Sequence, residues 1–222
     1  MYKKITHHIV EEHFGHPAAA EIKSYVDNCP TGPMMGMANT ISSMRLKMTL
    51  HRAFNDLVSG LRGHVVTHTT EEIAEIDKKL VADITAVSDV IKMYYGDTAA
   101  TAFRSKLDAY IIDAVKAIEA AKIGPVSSEI SDKLKASIDD LATFLGGVNP
   151  TVWPSAAVTS ILTSGAEEFI KQVTSRSNKD YVSDSTSLEK ARSIFVYGVA
   201  NDSGFSDVVA AGIMQQFPDL FR

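Results

Sequence analysis

The feature that most constrains this chain is a helical period that runs almost without a break from residue 40 to the end. Ile73, Ile76, Leu80, Ile84, Val87 and Ile91 recur at spacings of three and four, which sets them on one face of a long helix. Thr69 followed by Glu72 reads as a capping box at its start, and Gly96 marks its end. Phe103, Leu107, Ile111, Ala114 and Ile118 form a second stripe, closed by Gly124 and Pro125. Ile130, Leu134, Ile138, Leu141 and Leu145 form a third, opened by Ser127 or Ser128 and stopped by Gly146 and Gly147. After the rigid connector "NPTVWP" come Val158, Ile161, Leu162, Phe169 and Val173, then Leu188, Ala191, Phe195 and Val199, then Val208, Val209, Ile213 and Phe217 before Pro218. Ile41, Met44 and Met48, followed by Leu50, Phe54, Leu57 and Leu61, predict an earlier helix over about 40–62. No stretch alternates as a strand would. Short connections between long helices imply antiparallel neighbours. The expected fold is all-α: an up-and-down antiparallel helical bundle of about six to seven helices with an N-terminal arm.

Residues 17–39 break the period. "DNCPTGPMMGMANT" holds prolines, glycines and methionines with no repeat, as an extended arm would. The chain therefore divides into residues 1–39, a short helix plus arm, and residues 40–222, the bundle body. Within the body, "VIKMYYG" and "GIMQQFP" each place an aromatic just before a breaker. Descent from two related half-bundles would explain that echo, as would the general habit of ending helices so.

Charge narrows the function. The formal net charge is −5, and no window holds the dense Lys/Arg face that phosphate binding needs, so nucleic acid is not an expected partner. The distribution is uneven. Residues 1–68 carry 7 Lys/Arg against 5 Asp/Glu and all 7 His, whereas residues 69–222 carry 15 against 22 and no His. Cys29 is the one cysteine, which excludes an internal disulfide and a multi-cysteine zinc site. The N-terminus lacks the apolar core of a secretory leader. Nothing reaches the roughly 18 apolar residues of a membrane span, so no membrane partner is expected and the cytoplasm is the expected compartment.

Histidine is the one chemically suggestive residue. "ITHHIVEEHFGHP" gathers four of the seven beside Glu11 and Glu12. On a helix His8, Glu12 and His16 would share a face, but His16 precedes Pro17, a position that avoids helical backbone. Ile5, Ile9, Val10 and Phe14 read more simply as a packing stripe. "HVVTH" sets His64 and His68 at the spacing of two zinc ligands on one helix, with Val65 where a zinc protease needs its glutamate. His51 lies on an amphipathic helix. A metal reading would use His8, Glu12, His51, His64 and His68 around a divalent ion; the default is no cofactor. There is no Glu-x-x-His pair for a di-iron bundle, no nucleotide-binding glycine motif and no nucleophile elbow. The acidic pairs at 71–72, 139–140 and 167–168 are expected on solvated faces, because adjacent helical residues point about 100° apart. Gly165, Gly198 and Gly212 either line a cavity or let helices pack closely.

"LHRAF" at 50–54, "YYGDTAATAF" at 94–103, "YIIDAVKAIEAAKIG" at 110–124, "IDDLATFLGGVNPTVW" at 138–153 and "GIMQQFPDLF" at 212–221 occur in that order. Together they resemble a family of small, uncharacterised, all-helical bacterial proteins, some of which carry inconsistent labels as a glycosyltransferase or an acetylglutamate kinase. The resemblance implies a helical body over about 46–221 and a histidine on each of several successive helices. His51 matches the first of these, Tyr110 stands at the second, and Ser164 or Gly165 at the third. It carries no settled activity. The expected role is a non-catalytic interaction or assembly function, with self-association or a protein partner engaged through residues 1–39. The alternative is a metal-binding helical protein using the N-terminal histidines.

Overall fold

A computed structural model describes residues 35–198 and 203–221, with side-chain environments from residue 42. Ile5, Ile9, Val10, Phe14, His8, Glu12, Cys29 and Val199 lie outside the described residues. Those that are described belong, apart from the first turn of the first helix, to a compact unit spanning Asn39–Arg222. They form six α-helices and no strand: α1 (Met35–Val66), α2 (Thr70–Ile123), α3 (Ser128–Val148), α4 (Ser155–Ser177), α5 (Tyr181–Arg192) and α6 (Phe205–Gln216). A π-helical turn, Ser193–Tyr197, follows α5, and a 3₁₀ turn, Pro218–Leu220, follows α6.

The apolar stripes close the core where the periodicity puts them. Leu80, Ile84, Val87 and Ile91 are buried, as are Phe103, Leu107, Ile111, Ala114 and Ile118. So are Leu134, Ile138, Leu141 and Leu145 on α3 and Leu162, Phe169 and Val173 on α4. The capping box forms: the Glu72 amide donates to Thr69 Oγ1 at 3.4 Å, and that hydroxyl donates to the Glu72 carboxylate at 2.7 Å. Ser127, not Ser128, caps α3, its hydroxyl accepting from the Ile130 amide.

Gly96 is the hinge of the fold. Its backbone (φ 80°, ψ 177°) is the one non-helical step inside α2, in a region that glycine alone enters freely. The helix resumes at once instead of giving way to a loop. In a straight helix Asp77 and Glu119 would stand about 60 Å apart. Both instead touch the same imidazole, that of His64, at 3.1 Å. So α2 folds back at Gly96 into two antiparallel limbs.

Two expectations fail in register. Met44 and Met48 do not join the core stripe of α1; they are 57% and 66% exposed, and Leu46 is buried instead, ahead of Leu50, which is buried as expected. Gly146 and Gly147 do not stop α3, which runs on to Val148. A Cβ at Gly146 would fall 2.1 Å from Ser155 Oγ, so glycine there lets α3 and the start of α4 approach closely.

Candidate functional site

The end of the bundle where α1 stops and α2 starts holds most of the interior charge. Asp184, on α5, is 3% exposed. It accepts from both guanidinium nitrogens of Arg62, on α1, with Nη2 to Oδ2 at 2.8 Å, and from Arg176 Nη1, on α4, at 2.9 Å. Arg62 Nη1 also donates to Gln172 Oε1 at 2.8 Å. Three helices are thus tied through one carboxylate. Hydrogen bonds from Arg62, reinforced by Arg176, outweigh the effect of burial and hold the Asp184 carboxyl below the ordinary aspartate range. Helical periodicity gives no hint of this cluster, since it tracks apolar residues and the buried face of α5 is Asp184, Ser187 and Ala191.

His64, 1% exposed, sits beside this cluster near the end of α1. Its Nε2 meets Asp77 Oδ1 and its Nδ1 meets Glu119 Oε1. Lys122 donates to the same Glu119 oxygen at 2.9 Å and to the Thr67 carbonyl at 2.8 Å. Hydrogen-bonded at both ring nitrogens, this imidazole is a strut between the two limbs of α2. His68 lies beyond the end of α1 and is exposed. His51 is about 20 Å up the α1 axis from His64. Its Nε2 meets Asp207 Oδ1 at 3.1 Å, and its ring lies edge-on to Tyr197 with centroids 6.4 Å apart.

The structure therefore brings none of His51, His64 and His68 together. Among the described residues no group of three or more His, Cys, Asp or Glu side chains is arranged to hold a metal ion. His8 and Glu12 lie outside them. Tyr110 is buried and donates to the Leu162 carbonyl at 3.3 Å; burial pushes its phenol well above the usual range. It lines a narrow apolar gap with Phe54, Leu107, Leu162, Phe195 and Phe205, and His51 is not part of that lining.

The two helical glycines pack closely. A Cβ at Gly165 would fall 2.3 Å from the Phe195 ring, and one at Gly212 would fall 2.3 Å from Trp153. Gly198 instead ends the π turn at φ 74°. Of the acidic pairs, Glu71 and Glu72 are exposed, and Asp139 and Asp140 bond outward to Thr159 and Lys106. Glu168 departs from expectation: it is 6% exposed.

No helix among the described residues is long and apolar enough to cross a membrane. No family model matches the chain, and no curated protein or solved structure matches it. The site must be judged on its own geometry. Exposed apolar side chains include Met44 and Met48 on the outside of α1.

Proposed function

We propose that this protein is a non-catalytic assembly protein that self-associates through its N-terminal third. The carrying observation is the outer face of α1. Met44 and Met48, one turn apart, are more than half exposed, where the core would claim them if they were merely structural. They follow Met35 and Met37, which lie at the start of the same helix. Flexible thioether side chains repack readily on a partner surface. Arg45, Lys47 and Arg52 are exposed around them, so the face is apolar with a basic border. Residues 69–222, with 15 Lys/Arg against 22 Asp/Glu, offer the complementary charge on a second copy. The resemblance to all-helical bacterial proteins adds no activity to this reading.

Light scattering on the full chain tests it. The expected mass is a multiple of 24.1 kDa that falls to the single-chain value in Met44→Glu/Met48→Glu. Association should also weaken with added salt, because exposed charges are screened. A wild-type chain that stays at the single-chain mass at every concentration would remove self-association. A metal-binding role through His8, Glu12 and their neighbours is the second reading, and elemental analysis of untagged protein decides it.

A further inference from the structure

Three buried side-chain atoms among the described residues have no hydrogen-bond partner: Glu168 Oε2, Gln172 Nε2 and Arg192 Nε. Such atoms are costly in an interior and uncommon there. Their placement suggests that they belong together. Glu168 and Gln172 stand one turn apart on α4 and so share a face. Arg176, one turn further on that face, reaches Asp184, and Gly165, a turn back, lies under Phe195. In that antiparallel register, Arg192 at the end of α5 falls level with Glu168.

Each residue has another polar atom already engaged. Glu168 Oε1 accepts from Lys171 Nζ at 2.8 Å, while Oε2 is buried without a donor. Gln172 Oε1 is held by Arg62, so its amide nitrogen points the other way. Arg192 reaches Glu189 through Nη1, while its Nε is buried without an acceptor.

The three atoms are chemically selective. One is a carboxyl acceptor and two are N–H donors. A metal ion would meet two donors and be repelled. An anion would meet the Glu168 carboxyl, and an apolar guest would satisfy none of them. A water molecule fits all three, donating one hydrogen and accepting two, the usual three bonds of an interior water. We infer that an ordered water occupies the α4–α5 interface, donating to Glu168 Oε2 and accepting from Gln172 Nε2 and Arg192 Nε. It extends the polar layer that Arg62 and Asp184 begin, up to the start of the π turn.

A crystal structure of the full chain at about 1.5 Å resolution tests this. The expected result is a water within about 2.7–3.2 Å of Glu168 Oε2 and Gln172 Nε2. In solution, the Gln172 side-chain amide should show a cross-peak to a long-lived water, lost in Glu168→Met. A direct Glu168–Arg192 or Glu168–Gln172 bond, a dry interface or a missing cross-peak in the wild-type chain would overturn the inference.

Discussion

The two ends of the bundle are closed by opposite chemistries. At the end where α2 folds back, Tyr94 and Tyr95 pack on Phe217 at centroid distances of 5.8 and 5.1 Å, and Tyr94 stacks on Phe221. Trp153 is buried there against Gly212 and donates its indole N–H to the Val208 carbonyl at 2.8 Å. At the other end, Arg62, Arg176, Asp184, His64, Asp77 and Glu119 do the same joining with ions. The aromatic end gains from area removed from water and tolerates imprecise geometry. The ionic end gains only when every partner is present, because a buried charge without its partner is heavily penalised. One end is therefore robust and pH-indifferent, the other exacting and pH-dependent.

That contrast can be broken first with two large truncations. Trp153→Ala should cost about 3–5 kcal/mol, the range for deleting a large buried ring. Asp184→Ala should cost a similar 3–5 kcal/mol, because Arg62 and Arg176 lose their common acceptor. Denaturant unfolding measures both, and an Asp184→Ala variant as stable as wild type would show that the ionic end contributes nothing net.

Acid titration sharpens the difference further. The Asp184 carboxyl is held low in the folded chain by Arg62 and then Arg176. Its contribution is fully present above the ordinary aspartate pKa of about 4 and is lost as pH falls through the lower folded value. Thermal unfolding between pH 6 and 2 should thus show a steeper acid loss for wild type than for Asp184→Ala, while Trp153→Ala keeps the wild-type slope. Parallel curves for all three would refute the assignment.

Smaller effects concern how the ends are built. Gly96→Ala should cost about 1–3 kcal/mol, since an L side chain is strained at φ 80° although no atom lies within 4 Å of the added Cβ. Thr69→Ala removes the α2 cap and should cost about 1 kcal/mol. Chemical denaturation resolves both, and an equal loss in the two would argue against strain at the hinge.

Legibility followed the same divide. Apolar stripes were readable because one face of each helix must leave water, and the period of 3.6 records which. Where a stripe was too permissive, as with Met44 and Met48 on α1, packing chose Leu46 as the partner of Leu50 on the buried face. The aromatics of "VIKMYYG" and "GIMQQFP" pack on each other. The charged cluster was not readable at all. Arg62 stands 110 residues from Gln172 and 122 from Asp184, and each of these polar residues alone looks like a surface residue.

What this sequence determines by itself is that the chain forms helices, which face of most of them is buried, and where Thr69 and Gly96 start or break them. Those are local matters of propensity, capping and backbone sterics, settled within a few residues. Only the tertiary structure decides that α2 doubles back, that His64 braces its two limbs, and that Asp184 is buried between two arginines. These depend on groups distant in sequence meeting at hydrogen-bond range, where a few ångströms separate a stabilising ion pair from a solvated charge.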